Sequence, residues 1–332
     1  MCFGAPQNQH VSADQIESHL CVTPFASLLR RNCADFAERF DLGEMPVGVG
    51  GELSAGDDGH CCVGVAHAVL ADEEFKPMHD VVPYHFANDE DAALLDMLAT
   101  SPGEVAAVHA LYQALSREED VDLATLLPHV GGVVALLRLH RYDGESLQLV
   151  RDMLEMRHKL KSDEVWNEIT TRGLTFATLP GTAELHAASF QINDYLCLDK
   201  HGDVVSYERW GAIDPSRLLK MFPLEHYREW EKYRWEARAM VLDTLSRKTE
   251  RVVLYVNIIN LSGVGVRHRK VVQSYAKEFV AGDAVKSVPA LFSCAFLVGV
   301  NTIAAGLFNT AKAAFFTESQ KRKTQFLSGD PF

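Results

Sequence analysis

Between Lys286 and Lys312 the chain runs 25 residues without a charge, VPALFSCAFLVGVNTIAAGLF at its centre, and any fold must place that stretch. Roughly 20 apolar residues are enough to cross a bilayer, so an anchored membrane protein is one reading. The pattern inside the stretch favours another. Ser287, Ser293, Asn301, Thr302, Asn309 and Thr310 punctuate it. Gly299-Val300-Asn301 divides it into a short apolar run over 291–298 and a longer, small-residue amphipathic run over 302–316. A strand followed by a helix in a soluble core fits that division better than one spanning helix.

The flanking sequence extends the same grammar. VVLYVNIINLSG, 252–263, reads as a strand buried on both faces, and 269–280 as a helix, so strand, helix, strand predicts a parallel crossover. Upstream, 195–198 and 204–208 flank the turn residues Asp199-Lys200-His201-Gly202-Asp203 and read as a β-hairpin. A long helix over 224–247 carries Tyr227, Trp230, Tyr233 or Arg234, Ala237, Met240 or Val241 and Thr244 on one side, a stripe that predicts core. Before the hairpin the period is helical: from Glu104 through Leu115, then Leu136, Leu137 and Leu139, the turn Tyr142-Asp143-Gly144, and Leu147, Val150, Leu154 and Leu160. Residues 1–100 give fewer signals: a helix over 24–39, a Gly-rich loop over 48–60 and an acidic connector over 88–91.

Charge separates the two ends of the chain. Through Val130 there are 5 Lys and Arg against 22 Asp and Glu, a balance of −17, while the remainder has 27 against 23, or +4. An acidic first part excludes nucleic acid, whose phosphates demand clustered cations. It is either a solvated surface or an arm for a protein partner within 1–100. The mildly basic remainder suits transient contact with an anionic membrane surface. Seven scattered cysteines without a Cys-x-x-Cys pair, and no basic region followed by an apolar core in MCFGAPQNQH, point to a reducing cytosol. Cys61-Cys62 with His60 and His67 is a metal nest, a palmitoylated pair or an accident of spacing. The last is favoured, since adjacent thiols do not easily share a tetrahedral ion.

No chemistry-bearing motif emerges. Gly263-Val264-Gly265 follows a strand, but His268 stands where a dinucleotide fingerprint needs its third glycine. No G-x-S-x-G elbow, P-loop or H-E-x-x-H occurs, and the 14 histidines are dispersed. The expectation is a protein without enzymatic activity, metal or cofactor. Apolar strands alternating with an apolar, small-residue helix suggest instead a cavity for a hydrophobic ligand.

In order and spacing, LLRLHRYDGESLQLVRDMLEMRHKLK (136–161), GDVVSYERWGAID (202–214), the strand Asn257 to Gly263, Pro289 and the strand to Val298, Asn301, the helix through Phe316, and 317–322 resemble the CRAL-TRIO family of Sec-fourteen-like lipid-transfer proteins. That resemblance implies a CRAL-TRIO-like α/β fold: a mainly parallel sheet as pocket floor, a mobile gate helix over 302–316 and a preceding helical module. It implies the helical module over 101–175 and the lipid-binding domain over 176–327, which leaves an acidic extension of unknown role over 1–100 and a tail over 328–332. The implied function is to bind one phospholipid, sterol or isoprenoid and move or present it between membranes, from a cytoplasmic location with transient membrane association. The alternative is a regulatory module with a degenerate pocket. Lining residues carried over are Tyr207, Tyr255, Asn257, Ile259, Ala290, Phe296, Leu297, Ile303, Leu307, Phe308, Phe315 and Arg322. Two departures bear on cargo. Ala290 stands where inositol-lipid binders have a glutamate, so that headgroup is not preferred, and Tyr255 and Asn257 are larger than the small hydroxyls of choline-lipid binders. Lys321-Arg322-Lys323 either meets a phosphate or follows a capped helix start at Thr317-x-x-Gln320. Gly306 is either a flexible point or a close-packing residue.

Overall fold

A computed structural model describes residues 89–118, 120–123, 125–143 and 146–326. The helix expected over 24–39, the Gly-rich loop over 48–60 and the Cys61-Cys62 pair lie outside the described residues. Where an acidic connector was expected, α1 (Asp89–Leu98) begins; α2 (Pro102–Leu115), α3 (Pro128–Gly131), α4 (Val133–Asp143) and α5 (Ser146–Leu160) follow. Ser101 Oγ accepts from the Glu104 amide and Pro102 sits at the first helical position, so α2 starts where its sequence stops needing backbone donors. Leu95, Val108, Leu115, Val134, Leu137 and Val150 close a core among these helices.

Next come α6 (Ser162–Arg172) and α7 (Thr182–Ala187), then β1 (Gln191–Leu198) and β2 (Val204–Arg209). The hairpin is antiparallel, with Cys197 opposite Val205 and Leu198 opposite Val204. Its first strand begins four residues before the expected start. A short α8 (Pro215–Met221), capped by Asp214 Oδ1, leads into α9 (Leu224–Thr249). Then follow β3 (Tyr255–Asn260), α10 (Arg269–Ala281), α11 (Asp283–Lys286), β4 (Phe292–Val298), α12 (Thr302–Phe315), α13 (Glu318–Lys323) and β5 (Thr324–Phe326). The charge-free stretch is thus strand then helix, broken at Gly299 in the left-handed region at φ 65°. No described helix is long and apolar enough to cross a membrane.

The five strands lie in the order β1-β2-β3-β4-β5. β2 pairs with β3, β3 with β4 and β4 with β5, all parallel. The protein is therefore mixed α/β with a mostly parallel sheet. Because each crossover steps the same way across the sheet and crossovers are right-handed, the connecting helices stack on one face. Packing agrees. Val204, Tyr255, Ile259 and Leu297 share a core with residues of α9, α10 and α12. α9 does more than the one-sided stripe anticipated: every residue from Arg234 to Asp243 is buried. It is wedged between the sheet and the helical module, touching α3, α4, α6, α10 and α11.

Candidate functional site

Side chains alternate across a strand, so a shift of one residue changes face. On β3 Tyr255, Asn257 and Ile259 point toward the helices, as does Leu297 on β4. Val256 and Ile258 of β3, Cys294, Phe296 and Val298 of β4, and Cys197, Val205 and Tyr207 of the hairpin point the other way. The register lays them in rows. Cys197, Val205, Val256 and Cys294 form one row, Tyr207, Ile258 and Phe296 the next, and Asn260 and Val298 the row at the carboxyl edge. Asn260 Nδ2 donates to Tyr207 Oη at 2.9 Å, tying two of these rows. Among the described residues, the apolar side chains in contact on this face all belong to the sheet itself.

The twelve residues carried over from the resemblance are spread over both faces of the sheet, the segment before β4, α12 and α13. Tyr207 and Phe296 lie on the face away from the helices; Tyr255, Asn257, Ile259 and Leu297 lie on the opposite one. Phe296 and Leu297, adjacent on β4, face opposite ways because side chains alternate along a strand. Ala290 is half-buried in the segment before β4, and Arg322 is exposed on α13. In α12, Ala304, Phe308 and Ala311 are buried, and the helix packs on α10. The Phe308 ring meets Trp210 edge-on, with centroids 5.9 Å apart. Leu307 is half-buried against the same core. Phe315 lies under Lys277 Nζ at 5.9 Å, and Ile303 is exposed. In this structure the helix expected to gate the pocket rests on the helical layer. A Cβ at Gly306 would meet nothing within 4 Å, so that glycine is not there for close packing.

Between α9 and the strands lies a buried charge network that the sequence reading missed. Arg234 donates to Asp194 at 2.8 Å, to Glu208 at 2.5 Å and to Glu231 at 3.2 Å. Arg238 donates to Asp194 through Nε at 2.9 Å and also through Nη2. Ring faces cap both guanidinium groups: Trp230 lies 4.8 Å from Arg234, and Tyr255 4.7 Å from Arg238. Ser206 donates to Asn257 beside them. Burial alone would raise the Asp194 carboxyl, yet Arg234 and Arg238 hold it below the ordinary range. Burial pushes the Glu231 carboxyl up, against the pull of Arg234 and Arg238. Buried ions need partners of this quality to be tolerated, and the network clamps β1 and β2 to α9. Its one sequence signal was Arg234 and Arg238, four apart on the side of Trp230 and Val241.

A second cluster joins the helical module to α9. Glu236 accepts from Arg157 at 2.9 and 3.0 Å and bonds His129 at 2.6 Å. Arg157 also donates to the Ser287 carbonyl at 3.1 Å. A cleft of about 390 Å³ at the β1 edge, lined by Phe176, Leu185, Ile192, Tyr195 and Trp230 among others, is on the small side for a ligand site. It includes none of the twelve residues. Of the basic triad, Lys321 pairs with Glu318, and Lys323 donates to the Phe292 carbonyl and stands over Tyr142. Thr317 and Gln320 form the capping box at the start of α13. No cluster of three His, Cys, Asp or Glu suited to a metal occurs among the described residues.

No family model matches the chain. No curated protein sequence matches it either. Among solved structures the chain is similar to the crystal structure of Sfh5, at a TM-score of 0.37 and 14% identity, over 73% of this chain and 82% of that one.

Proposed function

We propose that the protein binds one hydrophobic ligand, a phospholipid, sterol or isoprenoid, on the sheet face opposite its crossover helices, and transfers or presents it between membranes. The observation that carries this reading is the apolar cluster formed by Cys197, Val205, Val256, Ile258, Cys294, Phe296 and Val298, separate from the core that the sheet shares with the helices. Burying a Val, Ile or Phe side chain contributes about 1.5–3 kcal/mol, so such a surface is worth on the order of 10 kcal/mol and does not face water uncovered. An acyl chain, at about 0.8 kcal/mol per methylene, has the matching requirement. The sequence resemblance to the CRAL-TRIO family supports the same assignment, with a parallel sheet as pocket floor. The work is exchange rather than bond-making, in a cytoplasmic protein that meets membranes transiently.

A second reading is favoured by one further fact: these seven side chains are each at most 9% exposed. In it the face is closed without ligand, and the protein is an interaction module whose acidic residues 1–100 engage a partner. Native mass spectrometry of the full chain purified from cells, followed by solvent extraction, separates the two. About one lipid-class molecule per chain supports the first. A ligand-free chain that takes up no phospholipid, sterol or isoprenoid from vesicles supports the second.

A further inference from the structure

The carboxyl edge of the sheet carries two of the four large apolar side chains that are exposed among the described residues. Val266, in the turn after β3, is 71% exposed, and Ile303, in the first turn of α12, is 46% exposed. Asn301 Nδ2 donates to the Val264 carbonyl at 2.9 Å, which fastens the start of α12 to the turn two residues before Val266. The turn is held from below as well. His268 is buried, accepts from the Gly265 amide at 3.0 Å through Nδ1 and sits 3.2 Å from the Ile213 carbonyl through Nε2.

Charge at this edge reverses that of the molecule. The chain carries −13 overall, yet Arg267, Arg269 and Lys270 are all exposed around the Val266 turn. No Asp or Glu occurs from Val252 to Lys277, nor from Ala284 to Thr317. Apolar side chains with cations beside Val266 in the chain match the boundary of a bilayer, where the former enter the acyl region and the latter meet anionic headgroups.

We propose that this edge, Val266 and Ile303 with Arg267, Arg269 and Lys270, is the surface by which the protein docks on anionic membranes. It rests on the ligand reading in one respect. The last row of the face opposite the helices, Asn260 and Val298, ends at the same edge, so docking puts the carboxyl end of that face at the lipid surface.

Val266→Trp in the full chain tests the contact directly. On phosphatidylcholine vesicles containing phosphatidylserine and bromine-labelled acyl chains, the emission of the tryptophan introduced there moves to the blue and is quenched, while a Met97→Trp control on α1 keeps its emission. Arg267→Gln and Arg269→Gln, both surface changes, each weaken vesicle binding about fivefold at low salt. Equal behaviour of the two introduced tryptophans, or binding indifferent to phosphatidylserine, overturns the proposal. A blue shift that appears without vesicles and grows with protein concentration assigns the edge to a second copy and overturns it too. Lipid content measured on the same preparations keeps the two ideas apart. Quenching in a chain that carries no lipid leaves the docking edge standing and sinks the ligand reading; bound lipid without quenching does the reverse.

Discussion

Replacing Glu236 by Gln tests whether one carboxylate holds the helical module onto the sheet domain. Burial would raise Glu236, but Arg157 and His129 bring it down to about 2, against an ordinary value of 4.5. That gap is worth roughly 3 kcal/mol of folding free energy, at about 1.36 kcal/mol per pH unit. A carboxyl depressed by folding stabilises fully above its unfolded value and loses that stabilisation as pH falls toward the folded one, here from about 4.5 to about 2. In Glu236→Gln, Arg157 keeps only Asp163, itself 72% exposed, and the Ser287 carbonyl. Removing one partner of a buried pair costs about 3–5 kcal/mol, which is the loss expected near neutral pH. The gap between the two proteins then narrows by roughly 3 kcal/mol on acidification to about pH 2, because the wild type surrenders what the variant never had. Urea denaturation followed by far-UV circular dichroism at several pH values measures both quantities. Equal acid slopes in the two proteins would refute the assignment of the charge to this cluster.

Three further outcomes are expected. Leu297→Asp places an unpaired carboxylate among the helices and costs several kcal/mol of stability in thermal melts, whereas Tyr207→Ser, on the other face, mainly lowers the amount of extractable lipid; equal effects of both on melting and lipid content would contradict the two-faced description. Gly306→Ala, with open space around its Cβ, stabilises α12 by about 0.5–1 kcal/mol, while Gly211→Ala, whose Cβ would lie 1.6 Å from the Ser262 carbonyl oxygen, destabilises strongly, both read from denaturant midpoints. If Lys321-Arg322-Lys323 completes a headgroup site, Ala290→Glu raises vesicle-to-vesicle transfer of inositol lipid relative to other lipids, and an unchanged ratio removes Ala290 from the headgroup's surroundings.

Much of the fold is legible along the chain because its signals are local. The continuous apolar run in VVLYVNIINLSG, the punctuation at Gly299-Val300-Asn301 and the turn residues between the hairpin strands each report on a few neighbours, and the elements formed where they stand. Short elements were not legible. β5 has 3 residues and α11 has 4, too few for either periodicity to register, and they form because the sheet edge and the end of α10 hold them.

The sequence by itself determined the longer strands and helices and that the charge-free stretch is one of each, and alternation along a strand sets the neighbours Phe296 and Leu297 on opposite faces. It did not determine which face belongs to the helices. That depends on the hand of three successive crossovers and on where α9 lies, and only the assembled sheet decides it. The same holds for Arg234, Arg238 and Glu236. A charged residue in a helix reads as solvated until its partners are known, and here they come from β1, β2, α3 and α5, as far as 107 residues away in the chain. Burial of charge is set by partners distant in sequence, and nothing local to α9 encodes them.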